Sequence, residues 1–175
     1  MMRAICLGSM CLVLAACGGG GSGDSRDEAA DTSGPTVPAA EYAQRADDLC
    51  RQLLVDLEEA QIQQRLRTIQ AGPASDSAKF KRFAPIFAEQ LELVSEFRRR
   101  IEQLGMPSAH GDDARALLEK TRSAEDELQN AIDAARSGDA KGATDAIQRY
   151  AGFSAQSASI ARDSKLNFAI CGAGA

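Results

Sequence analysis

Few side chains in this sequence have the type and spacing that chemistry requires. The sole histidine, His110, sits among Gly and Pro residues, so we expect a solvent-exposed loop residue. A bundle that holds two metal ions uses carboxylates and two Glu-x-x-His motifs, which one histidine cannot supply. Covalent haem needs a Cys-x-x-Cys-His motif that is absent, and His110 with Met106 in one loop is a poor pair of opposed axial ligands. No metal or cofactor is predicted.

Charged clusters also lack the pattern of an active site. Asp112-Asp113 is expected to open a helix, where the helix dipole favours negative charge. The run Arg98-Arg99-Arg100 is explained by a solvated helix face. Because no calcium loop, P-loop, Gly-x-Ser-x-Gly or dinucleotide-binding motif occurs, we predict no enzyme activity. Arginine or carboxylate chemistry at a helix crossing is the alternative left open.

The thiol of Cys17 is the one nucleophile whose surroundings predict a reaction. Arg3 precedes an apolar run from about Ile5 to Ala16, too short for a membrane span of ~20 residues. The run ends in Leu14-Ala15-Ala16-Cys17, which resembles the lipobox of bacterial lipoproteins. The resemblance implies that residues 1–16 are a signal peptide cut just before Cys17, whose thiol receives a diacylglyceryl group. A plain secretory signal cut elsewhere is the alternative.

Lipidation would anchor the protein to the outer side of a cell membrane. Each buried methylene contributes ~0.8 kcal/mol, so two or three acyl chains hold firmly. The chain has 20 basic and 25 acidic residues, and Arg3 leaves with the signal peptide. A mildly acidic surface argues against nucleic acid, whose binding needs a concentrated basic face. The expected partners are the membrane, through its anchor, and an envelope protein.

Residues 17–38 are predicted to be the lipidated cysteine plus a flexible linker. From Gly18 to Pro38 the chain has almost nothing to bury and cannot offset its ordering entropy. A coil of about 20 residues would hold the folded domain, residues 39–175, ~25 Å from its anchor.

Cysteine counting predicts a disulfide. Cys6 and Cys11 leave with the signal peptide, so Cys50 and Cys171 remain in a compartment where disulfides persist. Pairing them would close a loop of about 120 residues and stabilise the fold by ~4–5 kcal/mol. Two buried free thiols or a redox pair is the alternative, although a redox pair lacks Cys-x-x-Cys spacing.

Beyond Pro38, apolar residues recur every three or four positions and predict an all-α domain. Pro85 either kinks the second helix or places its start near Ala84. No segment alternates with period two, so no sheet is expected. The helices pack most simply as an up-down-up-down four-helix bundle, with the first and fourth as antiparallel neighbours. The predicted helices run from about Ala39 to Gln70, Asp76 to Leu104, Asp112 to Ser137, and Asp139 to Ala169.

Three stretches of the domain carry a further resemblance: Tyr42, Ala46, Asp47 and Cys50, then Leu104-Gly105-Met106-Pro107, and finally Phe168 with Cys171-Gly172. Together they resemble a group of small, Ala-rich actinobacterial envelope lipoproteins and secreted proteins. The chain departs from that group near its end, where Phe168-Ala169-Ile170 replaces an expected Gly-Leu. The resemblance implies a helical domain with two cysteines and adds no mechanism.

Two functions fit these patterns. The first is a tethered helical module that docks a protein or envelope component. The second is a carrier or sensor that binds a small apolar ligand between helices, suggested by Phe80, Phe83, Phe87 and Phe97. Because such a stripe is more often plain core, we favour the interaction module.

Overall fold

The computed structural model describes residues 36–172, which form helices joined by short connections. The predicted signal peptide, Cys17 and most of the predicted linker lie outside these residues. The predicted four-helix bundle is confirmed, with two helical segments in the place of its first helix. The helices are α1 (Ala39–Glu59), α2 (Ile62–Ala71), α3 (Asp76–Gln103), α4 (Gly111–Ser137) and α5 (Ala140–Asp163).

The first predicted helix is interrupted between α1 and α2, so the prediction of one helix reaching Gln70 is wrong. Gln61 adopts a left-handed conformation with φ 53° and ψ 31°. The interruption turns Ile62 and Ile69 into the core, where both are buried. In a continuous helix the apolar residues from Ile62 onward would lie on a slightly different face from those of α1. The break at Gln61 brings this second set of apolar residues to face the core.

Helix α3 begins well before Pro85 and continues through it. Ser75 caps the helix, since its side chain accepts a hydrogen bond from the Ala78 N–H at 3.4 Å. Pro85 lies on the exposed face of the helix. A start near Ala84 is therefore wrong.

The last helix ends at Asp163, whereas the sequence predicts an end at Ala169. Asp139 caps its start by accepting a hydrogen bond from the Gly142 N–H at 2.9 Å. Residues 164–172, here called the C-terminal tail, leave the helix and cross to α1. The helix stops because the tail N–H groups find acceptors on α1 and Leu166, 3% exposed, enters the core.

Two short strands correct the expectation that no sheet forms. Strand β1 (Thr36–Val37) pairs in parallel with β2 (Met106–Pro107), which lies between α3 and α4. The Ser108 N–H extends the pairing by donating to the Val37 carbonyl at 2.7 Å. The chain that enters the domain is thus fixed beside the α3–α4 connection.

The interior is divided into two apolar clusters. The main core joins α2 and α5 to the first half of α3 and the second half of α4. The second cluster, here called the tail core, joins the start of α1 to the end of α3, the start of α4 and the tail. Helix α5 packs chiefly on α4, whereas α1 packs chiefly on α3. The main link from the α5 end of the chain to α1 is therefore the tail, rather than the predicted helix-to-helix contact.

Candidate functional site

An open groove of about 680 Å³ lies between α1 and the C-terminal tail. Helix α1 contributes side chains at four-residue intervals, from Ala39 through Ala43 and Asp47 to Arg51. That spacing places them on one face of the helix, along ~18 Å. The opposite side is formed by tail residues that include Lys165 and Ile170. The lining therefore combines small apolar and polar side chains on a helical support.

Asp47 attaches the tail to α1. Its Oδ2 accepts a hydrogen bond from the Ala169 N–H at 2.7 Å. Its Oδ1 accepts from the N–H groups of Ile170 at 2.8 Å and Cys171 at 2.9 Å. Asp47 is the only charged side chain classed as buried within residues 36–172, at 8% exposed. Three charge-assisted hydrogen bonds offset the cost of removing this carboxylate from water.

The predicted disulfide is confirmed next to this carboxylate. The sulfur atoms of Cys50 and Cys171 are 1.99 Å apart, and their Cα atoms are 5.5 Å apart. Cys50 follows Asp47 by three positions, so the thiol and the carboxylate lie on the same side of α1, one turn apart. The disulfide and the Asp47 hydrogen bonds therefore hold the same stretch of tail.

Further contacts fix the rest of the tail. The Phe168 ring lies 6.4 Å from the Tyr42 ring. The Lys165 N–H donates to Asp113 Oδ2 at 3.2 Å. Gly172 approaches α5 so closely that a Cβ atom on it would lie 2.8 Å from Arg162 Cα. The tail is thus a fixed wall of the groove.

The three stretches that carry the resemblance meet at this end of the bundle. They come from α1, from the α3–α4 connection and from the tail, which are far apart in the sequence. Side chains from all three belong to the tail core: Tyr42, Ala46, Leu104, Met106, Phe168 and Cys171.

The Tyr42 hydroxyl is an exception to the good hydrogen bonding of this region. Tyr42 is 0% exposed, and its hydroxyl has no hydrogen-bond partner among the described residues. Burial disfavours the charged phenolate and raises the pKa of Tyr42 to about 12.

His110 is exposed, as the sequence predicts, and it lines the groove. It precedes α4 and has a left-handed backbone with φ 63°. Asn167, another groove residue, is also left-handed, with φ 57°. Such conformations are uncommon for residues other than Gly, and both occur where the chain changes direction beside the groove.

The four predicted phenylalanines do not form one group. Phe80 and Phe83 pack edge to face with ring centres 5.3 Å apart, and Phe83 lies 5.8 Å from Phe87. These three rings are buried in the main core, whereas Phe97 packs against the tail core. None of the four lines the groove beside α1.

The arginine run is engaged in ion pairs within the protein. Arg98 Nε donates to Glu125 Oε1 at 2.7 Å, and this hydrogen bond joins α3 to α4. Arg98 Nη1 also donates to Glu102, on its own helix. The hydrogen bond to Glu125 is the main cause that raises the pKa of Arg98. The hydrogen bond from Arg122 is the main cause that lowers the pKa of Glu102. Arg99 and Arg100 both pair with Glu96.

Sequence reasoning did not find the groove or the role of Asp47. Asp47 entered only as part of a resemblance. The available signal was its position one turn before Cys50, which places a carboxylate beside a predicted disulfide. The residues that it holds contribute backbone N–H groups, which leave no mark in a sequence.

No protein-family model, no curated protein and no solved structure matches the chain. Within residues 36–172, no group of three or more His, Cys, Asp or Glu residues could hold a metal ion. In the same part of the chain, no helix is long and apolar enough to cross a membrane. Function is therefore inferred from the groove and from the sequence.

Proposed function

We propose that this protein is a lipid-anchored, extracytoplasmic helical module that binds an extended segment of an envelope protein. The observation that carries the proposal is the groove of about 680 Å³ beside α1. Its volume falls within the range of ~300–1,000 Å³ that is usual for binding sites. The role proposed is binding rather than catalysis.

The dimensions of the groove fit an extended polypeptide. Its α1 side runs for ~18 Å, which an extended chain of about five residues would cover. Small side chains such as Ala39 and Ala43 allow a peptide backbone to come close. Gln44 and Asn167 supply amide donors and acceptors for its main-chain groups.

The charged side chains of the groove favour a bound segment of one charge. Asp47 is already engaged by the tail, and Arg51 pairs with Asp48 at 2.8 Å. Lys165 is exposed and has no ion pair within residues 36–172. An acidic side chain in the bound segment would pair with its ammonium group. The preferred occupant is therefore extended, small in its apolar side chains and weakly acidic.

The lipobox resemblance supports a location at the membrane surface. Thr36 follows Cys17 by 19 residues, so it stays within roughly 65 Å of the anchor. The groove begins at Ala39, close to the point where the chain from the anchor enters the domain. Envelope proteins near the bilayer are thus within its reach.

The alternative, a carrier of small apolar ligands, stays a prediction. Phe80, Phe83 and Phe87 are buried against one another, and the groove lies at the other cluster. A rise in the melting temperature of the protein with increasing fatty acid concentration would favour this alternative.

Photo-crosslinking in the native envelope tests the interaction module. A photoreactive phenylalanine analogue replaces Gln44 in the groove or, as a matched control, Gln129 on the exposed face of α4. We expect a discrete crosslinked protein from position 44 and none from position 129. The same products from both positions, or none from position 44, would contradict the proposal.

A second pair of variants tests whether the groove itself is occupied. Ala40→Arg places a long side chain in the groove, whereas Ala155→Arg makes the same change at an exposed site on α5. We expect Ala40→Arg to abolish the crosslink from position 44 and Ala155→Arg to preserve it. Circular dichroism should show that both variants keep their helix content.

A further inference from the structure

We infer that Asp47 is a positioning residue for the formation of the Cys50–Cys171 disulfide. In this account the carboxylate holds the tail against α1 before the sulfur–sulfur bond exists. The inference concerns maturation of the domain and does not depend on the proposed function.

The same carboxylate contacts the backbone of the cysteine that must be brought in. Asp47 Oδ1 accepts from the Cys171 N–H at 2.9 Å and from the preceding N–H at 2.8 Å. Cys50 lies one helical turn after Asp47, on the same side of α1. Fixing the Cys171 backbone at Asp47 therefore places its side chain beside Cys50.

Apolar burial does not explain how this stretch of tail is held. Ala169 is exposed and Ile170 is only half-buried. Leu166, Phe168 and Cys171 contact the tail core, but the side chains of Ala169 and Ile170 between them do not. The backbone N–H groups of residues 169–171 are held by Asp47. The cysteines are 121 positions apart, and folding of the helices with Leu166 closes most of that separation. Hydrogen bonds to the Asp47 carboxylate remove the remaining local freedom of residues 169–171, because they form in the reduced protein.

The chemistry needs an external disulfide as oxidant, for which oxidised glutathione serves. One cysteine thiolate attacks this oxidant, forms a mixed disulfide and releases one glutathione thiolate. The other cysteine thiolate then attacks the protein sulfur of the mixed disulfide, forms the Cys50–Cys171 bond and releases the second thiolate. Two electrons pass to glutathione, and the two protons lost by the cysteines protonate the released thiolates. Asp47 acts only on the second, intramolecular step.

Glutathione equilibration of the full chain provides the test. Cys6→Ser, Cys11→Ser and Cys17→Ser leave Cys50 and Cys171 as the only thiols. The measured quantities are the effective concentration of one thiol for the other and the rates of the two steps. Asp47→Asn should lower the effective concentration and slow the second step by about tenfold or more, because hydrogen bonds to a charged group are lost. The first step should not change.

Two control variants separate positioning from general loss of stability. Asp48→Asn removes the same charge from the neighbouring exposed position and should behave like the parent chain. Leu128→Val creates a small defect in the main core and should lower stability without changing the effective concentration. An unchanged effective concentration in Asp47→Asn, or an equal fall in Leu128→Val, would overturn the inference.

Hydrogen exchange keeps the inference testable if reduced Asp47→Asn does not fold. In the chain with Cys50→Ser and Cys171→Ser, the amides of residues 169–171 should remain protected, because Asp47 still accepts their hydrogen bonds. Exchange of these amides at the rate of an unstructured peptide, with the helices still protected, would overturn it.

Discussion

Tyr42 and Asp47 are both buried at the start of α1, yet only one of them has its polar group paired. The Asp47 carboxylate accepts three backbone hydrogen bonds, whereas the Tyr42 hydroxyl has no partner among residues 36–172. A buried hydroxyl without a partner costs about 1–3 kcal/mol of folding free energy. The Tyr42 ring is therefore needed for packing, while its hydroxyl weakens the fold.

Tyr42→Phe should raise the free energy of unfolding by about 1 kcal/mol at neutral pH, because it removes the unpaired hydroxyl and keeps the ring. Urea denaturation measures the change. Tyr150→Phe is the matched control, since the Tyr150 hydroxyl accepts a hydrogen bond from Gln90 at 2.8 Å, and its removal should lower stability. Destabilisation by Tyr42→Phe would show that the hydroxyl is paired.

The parent protein and Tyr42→Phe should also differ in how their stability depends on alkaline pH. The pKa of Tyr42 is about 12 in the folded protein, against 10.0 as the ordinary value, so the unfolded chain loses its proton first. Between these two pKa values the unfolded state binds fewer protons than the folded state. The free energy of unfolding therefore falls by roughly 1.4 kcal/mol for each unit that the pH rises. Tyr42→Phe should remove that part of the slope, and an unchanged slope would contradict the assignment.

At the scale of elements, the ends marked by strong signals were predictable. Gly138 ends α4 with a left-handed φ of 79°, a conformation that Gly adopts without strain. No Gly or Pro marks the interruption at Gln61. The helix breaks there because the break allows Ile62 and Ile69 to be buried in the main core. The early end of α5 follows from tail hydrogen bonds that periodicity does not record. Local sequence thus predicts the helices better than it predicts where tertiary contacts stop them.

Two glycine substitutions should have opposite effects on stability. In Gly138→Ala the new Cβ would lie 2.5 Å from Ser77 Oγ at a positive φ, so we expect a loss of about 1–3 kcal/mol. In Gly152→Ala the Cβ meets nothing within 4 Å inside α5, so we expect a gain of about 0.5–1 kcal/mol. Thermal unfolding of both variants measures the difference. Equal changes in stability in the two variants would contradict the conclusion that Gly138 is required at the end of α4.

At the scale of the whole molecule, the cysteine count predicted how the two ends of the domain are joined. Cys50 and Cys171 were identified because few cysteines remained once the predicted signal peptide was set aside. The groove beside them was not predictable, because its second wall exists only where the tail leaves α5. Fold class and disulfide were therefore accessible from the sequence, whereas the candidate binding surface required the tertiary structure.

The anchor and the disulfide together define the proposed module, which is tethered at one end and closed by the tail at that same end. The proposed lipid anchor and the disulfide would both form on the outer side of the membrane, where disulfides persist. They can be read from one preparation, because each changes the mass of a different cysteine-containing peptide.

Mass spectrometry of the protein purified from native membranes, digested without reduction, is the most direct measurement. We predict an N-terminal peptide that begins at Cys17 and carries a diacylglyceryl group, together with a linked pair of peptides containing Cys50 and Cys171. An unmodified Cys17 within a longer peptide, with Cys50 and Cys171 both as free thiols, would contradict the account.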